Sequence, residues 1–255
     1  MVWELEVGEP FESRHSEFVA PARTPEGVDA VVKVQLPDDV ENEHEAEALH
    51  FWDGRGAVRL LAHEPAERAL LIERCRPGTS LWKMGEEEAV GIGASVLRQL
   101  WRPAPEGHPY RLVTDEAVRW ARELPRRWEE LGRPVERSIV DRALAALRDL
   151  PATQEELVVC HQDFQGSNAL RSERGWLAID PKPIVGERAF DTASFIRDRR
   201  WELTAATVER RLDRLVDELG LDRARMRDWA LAHTVAWDGL RDAGMTAAAR
   251  FLAEA

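Results

Sequence analysis

The hydrophobic pattern of this 255-residue chain changes once, near residue 75. Before that point, short β-prone or alternating runs separated by Gly, Pro and Asp predict strands. These runs cover residues 2–7, 17–22, 28–35, 57–63 and 69–74. A charged segment rich in Glu and Ala, residues 38–52, predicts a helix between the third and fourth strands. The first part of the chain therefore predicts a small antiparallel sheet that carries one helix.

After residue 78 the pattern becomes helical. Apolar residues recur at helical spacing in residues 86–101, 139–147, 208–219 and 226–240. The strand signal returns only briefly, at residues 157–160, 169–171 and 176–179. The pattern predicts an α+β protein with two units, residues 1–75 and 76–255.

The composition limits the kinds of molecule that the protein is expected to bind. The formal net charge is −12, from 35 basic and 47 acidic side chains, which argues against nonspecific nucleic-acid binding and is compatible with a cationic ligand. There is no apolar run of 18 residues and no secretory signal at the start, so we expect a cytoplasmic protein that does not enter a membrane. We also expect a monomer. Cys75 and Cys160 lie in apolar stretches and are expected to be reduced and buried.

The chemistry is concentrated in residues 158–170, which read VVCHQDFQGSNAL. An apolar strand ends in His161-Gln162-Asp163, and Asn168 lies five residues beyond the Asp. This is the spacing of a kinase catalytic loop, in which the Asp receives the proton of the attacking hydroxyl and the Asn holds magnesium. A second apolar strand then ends at Asp180. Asn168 and Asp180 offer the hard oxygen ligands that Mg²⁺ prefers.

Phosphoryl transfer also needs a positive charge beside the phosphates. Lys33 lies in an apolar run and must find a partner there. Glu45 in the following segment could pair with it, although Glu41, Glu43 and Glu47 are alternatives. Considered singly, these residues could instead be solvated surface charges, and Asp163, Asn168 and Asp180 could be turn formers.

The chain resembles the aminoglycoside phosphotransferase family, particularly its streptomycin 6-phosphotransferase and hydroxyurea phosphotransferase branch. The resemblance is carried in family order by EAEAL, WDGRGAVRLL, LLIERC with PGT, GWLAIDPK and GERAFD, in residues 45–191. It implies a two-lobed, protein-kinase-like fold that uses ATP or GTP with Mg²⁺. Residues 1–75 would form the nucleotide-binding lobe, and residues 76–255 the catalytic and substrate-binding lobe.

The resemblance also implies individual roles. Asp163 would be the catalytic base, with Asn168 and Asp180 as magnesium ligands. Lys182 would place an ammonium close to the phosphates, and Asp191 would brace the catalytic loop.

The nucleotide base would bond to the backbone of the connector at Glu73 to Cys75. The chain departs from kinases at residues 11–17, where the phosphate-binding loop contains no glycine, so Ser13 and Ser16 would have to contact the phosphates. It departs from the family at Gln162, where glycine is common.

The acceptor is expected to be a small hydroxylated compound, with an aminoglycoside such as streptomycin as the first candidate. Asp198 and Asp238 could bind a cationic substrate, although a solvated acidic face would explain them as well. Three alternatives stay open: a kinase-like binding module with weak or no catalysis, a kinase of an unassigned metabolite, and a metallohydrolase that uses His161, Asp163 and Asp180.

Overall fold

A computed structural model describes residues 3–11, 18–37, 40–238, 240 and 242–254, without the side chain of Asp238. The amino-terminal part forms a five-stranded sheet in which every neighbouring pair is antiparallel, in the order β1-β2-β3-β5-β4. Its strands are β1 (Glu6–Val7), β2 (Phe18–Arg23), β3 (Asp29–Val34), β4 (Leu60–Glu64) and β5 (Ala69–Glu73). The predicted antiparallel sheet is confirmed.

β3 is central in this sheet, and its β-branched residues suit that position. Lys33 on β3 pairs with Val19 of β2 and Leu70 of β5, and it is only 3% exposed. A lysine on a central strand is therefore held inside the protein, where its charge needs a partner.

The helix α1 runs from Glu45 to Trp52, so the prediction that residues 40–44 are helical was wrong. The carbonyl of Asn42 accepts hydrogen bonds from the Gln35 side chain (3.0 Å) and the Glu45 backbone (3.1 Å). These bonds hold the chain in turns up to Glu45. The helix ends where Asp53 adopts a left-handed conformation, with a φ angle of 45°.

The remainder is mainly helical. Its longer helices are α2 (Glu86–Leu100), α3 (Val113–Glu130), α4 (Arg137–Asp149), α7 (Ala205–Leu219), α8 (Arg223–His233) and α9 (Ala243–Glu254), with the short α5 (Arg188–Asp191) and α6 (Ala193–Ile196) between α4 and α7. Two small sheets lie among them. β10 (Ile184–Gly186) pairs in parallel with β6 (Arg111–Leu112) and antiparallel with β7 (Val158–Cys160), and β8 (Ala169–Ser172) pairs with β9 (Gly175–Ala178).

Helix α3 was not predicted from the hydrophobic pattern. It buries Val113, Ala117, Trp120, Leu124 and Trp128, which are spaced four or three residues apart, as on one helical face. Charged residues dominate its other faces and Pro125 lies inside it, which weakens the signal. A large core then joins α1 and β5 to most of the later elements.

The segment predicted as one helix over residues 226–240 is divided in the structure. α8 ends at His233, and a π-helical turn, Thr234–Asp238, follows it. Such turns often occur at functional sites. Within the described ranges, no helix has both the length and the apolar character needed to cross a bilayer. The lobe boundary near residue 75 stays a prediction.

Candidate active site

Strand β7 delivers the HQD segment, and the backbone around Gln162 is tightly held. Gln162 has a left-handed φ angle of 65°, which is costly for a residue other than glycine and explains why a glycine suits this place. Its N–H donates to Asp191 Oδ1 (2.7 Å) and its carbonyl accepts from Ser194 Oγ (3.0 Å). Its side-chain Oε1 accepts from Arg111 (3.0 Å). Three hydrogen bonds thus stabilise Gln162 in this conformation, and Asp163 is the next residue along the chain.

Asp191 lies where it can hold the loop that carries Asp163, as the sequence predicted. It is fully buried, and its second oxygen accepts from the Trp101 indole (2.9 Å). Burial raises the pKa of Asp191 to about 6, while the Trp101 and Gln162 donors oppose the rise. Oδ1 of Asp191 therefore holds the loop at Gln162, while Oδ2 fixes the carboxylate to Trp101.

The contacts of His161 indicate a structural role. Its ring is fully buried, lies stacked 6.4 Å from Trp52 of α1, and uses Nε2 to bond the Ile179 carbonyl (2.9 Å). Burial lowers the pKa of His161 to about 4, so the ring is neutral at pH 7. This nitrogen is engaged in the fold, which disfavours the metallohydrolase alternative.

The carboxylate of Asp163 is largely enclosed, with a side chain 14% exposed. Burial raises the pKa of Asp163 to about 6, against the opposing charges of Lys182 and Arg197. Lys182 Nζ lies 3.9 Å from Asp163 Oδ2, and Gln165 donates weakly to Oδ1 (3.4 Å). An ionised but poorly solvated carboxylate is a suitable acceptor for a hydroxyl proton.

Asn168 is oriented by its own loop. Its side-chain amide nitrogen donates to the Asp163 carbonyl (2.9 Å). Its side-chain oxygen, Oδ1, accepts a hydrogen bond from Ser167 Oγ (3.0 Å). The Asn168 carbonyl accepts from the Ile179 N–H (3.0 Å), so the residue before Asp180 is tied to Asn168. One amide oxygen and one carboxylate make a donor set that fits Mg²⁺, which keeps water and phosphate oxygens as its other ligands.

Lys33 joins the two parts of the chain. Its ammonium forms ion pairs with Asp180 and with Glu45 Oε2, the latter at 2.7 Å. Gln35 also donates to Glu45 Oε2 (2.8 Å). Burial, the largest single influence, opposes the ionisation of Asp180. The charge and hydrogen bond of Lys33, together with the charge of Lys182, nevertheless lower the pKa of that carboxyl. Burial raises the pKa of Glu45, with Lys33 opposing the rise. The structure thus selects Glu45 among the glutamates left open by the sequence.

A second lysine, Lys182, lies near Asp163. Lys182 Nζ is 3.3 Å from Glu41 Oε2 and 5.1 Å from the centre of the Trp237 ring. Trp237 in turn donates its indole N–H to Glu41 Oε1 (2.8 Å). From the sequence, Glu41 was an alternative partner for Lys33, whereas in the structure it lies beside Lys182. The π-helical turn that brings Trp237 here has no sequence signal of its own.

The connector after β5 is held by its side chains. Arg174 of the β8–β9 turn donates to both oxygens of Glu73, at 2.9 and 2.5 Å, and Arg74 and Arg76 pair with Asp29 at 3.0 and 2.7 Å. Cys75 is buried and reduced, and burial raises the pKa of its thiol to about 11. The ion pairs of Glu73, Arg74 and Arg76 fix the backbone from Glu73 to Cys75. This is the segment that was predicted to bind the nucleotide base.

The geometry favours a structural role for Asp198 over the predicted substrate contact. Asp198 is 2% exposed. Its Oδ2 accepts from the Trp82 indole (2.8 Å) and the Gly166 N–H (2.7 Å), and Oδ1 accepts from the Arg200 N–H (3.0 Å). Ser16 and the side chain of Asp238, also predicted as binding groups, lie outside the described residues.

A buried strand lysine paired with a helix glutamate, an HxD loop, an asparagine and a second aspartate together define a phosphotransferase of the kinase-like class. A family model described as aminoglycoside/hydroxyurea antibiotic resistance kinase matches residues 3–241. The chain belongs to this family, and is a small-molecule phosphotransferase of the aminoglycoside type. The family and kinase-like fold predicted from the sequence are confirmed.

Individual relatives agree with this assignment. The chain is 34% identical over 248 residues to streptomycin 6-kinase of Streptomyces glaucescens, covering 92% of this chain and 79% of the relative. It is 34% identical over 238 residues to hydroxyurea phosphotransferase of Kitasatospora aureofaciens, with 91% and 68% covered. The crystal structure of a thermostable aminoglycoside phosphotransferase mutant, in complex with ADP and hygromycin B, matches at a TM-score of 0.63 and 16% identity, covering 98% and 91%.

Proposed function

We propose that this protein transfers the γ-phosphoryl group of ATP to a hydroxyl of a small cationic compound, with streptomycin as the first candidate. The observation that carries the proposal is the Lys33–Asp180 ion pair, which joins residues 147 positions apart at one site. A solvated strand lysine and a turn-forming aspartate would have no reason to meet inside the protein.

Asp163 is the catalytic base in this proposal. It accepts the proton of the acceptor hydroxyl as the oxygen attacks the γ-phosphorus. The hydrogen bonds to the N–H and carbonyl of Gln162 fix the orientation of the adjacent Asp163. The partial burial of the Asp163 side chain keeps water from competing for the carboxylate.

Asn168 and Asp180 would hold Mg²⁺, which would supply positive charge to the phosphate oxygens. Lys33, positioned by Glu45, adds a fixed positive charge on one side of the triphosphate, and Lys182 adds another near Asp163. The backbone of the connector, Glu73 to Cys75, would bind the purine. The sequence also suggests Ser16, which lies outside the described residues, as a phosphate contact.

The substrate class follows from the relatives and the charge. Streptomycin carries guanidinium groups and several hydroxyls, and it is phosphorylated by the relative named streptomycin 6-kinase. The chain itself is acidic, with a net charge of −12, which favours the approach of a cation. We expect the enzyme to act as a cytoplasmic monomer.

The test is an assay of ADP formation with streptomycin, other aminoglycosides, hydroxyurea and simple sugars, each with ATP or GTP, in Mg²⁺ and in excess EDTA. We expect acceptor-dependent turnover that requires Mg²⁺, with streptomycin the most efficient. Asp163→Asn should lose at least about a hundredfold in kcat and retain the thermal shift caused by MgATP. Nucleotide binding without turnover for any acceptor would favour the binding-module alternative, and turnover only with another acceptor would replace streptomycin.

A further inference from the structure

Arg111 and the strand that leads into the HQD segment belong to the same small sheet. The strand order is β6-β10-β7, and Ile184 of β10 pairs with Arg111 on one side and with Cys160 on the other. Arg111 therefore lies two strands away from Cys160, or about 10 Å at the usual strand spacing. Gln162 is two residues beyond Cys160, so an extended arginine side chain can reach it. The sheet thus brings Arg111 to a loop that lies 51 residues further along the chain.

The Arg111 guanidinium connects Gln162 to a buried carboxylate. One nitrogen, Nη2, donates to Gln162 Oε1 (3.0 Å), and the other, Nη1, donates to Glu116 Oε1 (2.7 Å). Glu116 lies on α3 and is 7% exposed, and its Oε2 accepts from Arg119. A planar guanidinium that is fixed by an ion pair at one nitrogen presents the other nitrogen in a set direction. Gln162 is therefore held by a group that is itself anchored to a helix.

Gln162 needs this contact more than a glycine would. Its φ angle of 65° is accessible to glycine without strain, whereas a residue with a side chain adopts it at a cost. Gln162 is 1% exposed, and its side-chain Nε2 has no hydrogen-bond partner among the residues that the structure describes. Within that part of the chain, the bond from Arg111 is therefore the hydrogen bond that fixes the Gln162 side chain.

We propose that Arg111 is a positioning residue for Asp163, which it holds in place through the side chain of Gln162. The inference rests on the proposed function of this site and goes beyond it, because it gives β6 a part in catalysis. In this chain an arginine compensates for the glutamine that stands where glycine is common in the family. The backbone bonds of residue 162 to Asp191 and Ser194 can form with either residue. The requirement for Arg111 therefore comes from the glutamine side chain.

Arg111→Lys separates the two contacts of the guanidinium. A lysine has one ammonium in place of two nitrogens directed at different partners. The ionised Glu116 attracts that ammonium more strongly than the neutral amide of Gln162 does, so the ion pair with α3 is retained and the bond to Gln162 is lost. Arg111→Met removes both contacts. An effect common to the two substitutions therefore reports the bond to Gln162.

The experiment makes each substitution in two backgrounds, the wild type and Gln162→Gly, and compares kcat for streptomycin phosphorylation before and after it within each background. With Gln162 present, we expect Arg111→Lys to lower kcat at least about fivefold, with the KM for ATP within about twofold, because the base is displaced while Lys33 and Glu45 are undisturbed. In the Gln162→Gly background the same substitution should change kcat less than about twofold, since glycine needs no side-chain anchor.

Arg111→Met provides the comparison with a purely structural effect. It should have the same effect on kcat as Arg111→Lys in each background. It should also lower the free energy of unfolding in both backgrounds, because Glu116 loses this cation whichever residue stands at position 162. Equal losses of kcat in the two backgrounds, or no loss in either, would overturn the inference and leave the proposed function intact.

Amide hydrogen exchange of residues 161–168 tests the same point without an acceptor. Arg111→Lys should speed exchange in this segment at least about threefold when Gln162 is present, and should leave it unchanged in the Gln162→Gly background. Unchanged exchange with Gln162 present would overturn the role of Arg111. A wild type with no turnover on any acceptor would instead overturn the proposed function, so the two failures are distinguishable.

Discussion

The backbone N–H of Gln162 donates a hydrogen bond of 2.7 Å to Asp191 Oδ1, so a carboxylate 29 residues further along the chain fixes the residue just before the proposed base. The other oxygen of Asp191 accepts from the Trp101 indole on the far side (2.9 Å). Both donors are buried, and each would lose its partner if this carboxylate changed. The position of Asp163 therefore depends on a side chain that is fully buried.

We expect Asp191→Asn to lower both stability and turnover. The asparagine amide presents one oxygen and one NH₂ to two N–H donors, so one buried donor is left without an acceptor, which costs about 1–3 kcal/mol. Urea unfolding gives the stability, and kcat against KM for ATP separates loop geometry from nucleotide binding. The prediction fails if kcat stays at the wild-type level while stability falls, because the brace would then be structural alone.

We expect the plot of kcat/KM against pH to fall on its acidic side. The pKa of Asp163 is raised to about 6 by burial, and the base must be ionised, so kcat/KM should fall about tenfold per pH unit below pH 6 and level off above it. Initial rates between pH 5 and 8 test this. A rate that does not change down to pH 5 would contradict the role of Asp163.

The stability of the fold also changes with pH in this range, and the buried groups act in opposite directions. Burial lowers the pKa of His161 from 6.5 to about 4, so the unfolded chain binds more protons at this ring, and the contribution of His161 to stability falls as the pH drops through this range. Asp163 and Asp191 both have pKa values raised to about 6 by burial, from an ordinary value of 3.8. Between these values the folded protein binds more protons at these groups than the unfolded chain, so their contribution to stability increases as the pH falls through this range. Thermal midpoints recorded at each pH provide the control.

Lys33→Met should destabilise the protein by about 3–5 kcal/mol, because it leaves the buried Glu45 and the adjacent Asp180 without their cation. Adding Glu45→Gln removes one of the two uncompensated charges and should restore part of the stability. Neither variant should regain activity, since the charge beside the phosphates is missing in both. Urea unfolding of the single and double variants measures the coupling, and additive effects would argue against the pair.

Gly166→Ala should disturb the loop that carries Asn168. A Cβ at Gly166 would lie 2.3 Å from Trp82 Cδ1 and 2.8 Å from Trp201 Cη2, so the backbone or an indole must move. We expect a loss of about 1–3 kcal/mol and a lower kcat. Gly91→Ala is the control, because Gly91 lies within α2 and its Cβ would meet only side-chain atoms at ordinary contact distances, Glu218 Oε1 at 3.7 Å and Arg214 at 4.0 Å. Equal effects of the two substitutions would show that the close packing is unimportant.

Much of the candidate site could be predicted from the sequence, because it is local. The spacing from Asp163 to Asn168 lies in one loop, and Asp180 follows the hairpin that loop leads into, so these residues stay neighbours however the rest packs. Lys33 was recognisable because an ammonium on an apolar strand needs a partner. The amino-terminal sheet followed from short alternating runs.

The sequence by itself determined the chemical groups, their order along the chain and the α+β character. Only the tertiary structure decided which groups meet: that Glu45 pairs with Lys33 while Glu41 turns to Lys182 and Trp237, and that Asp198 supports the catalytic loop from within. The reason is physical. Hydrophobic periodicity says which face of an element is buried, whereas a contact between distant residues depends on how several elements pack at once.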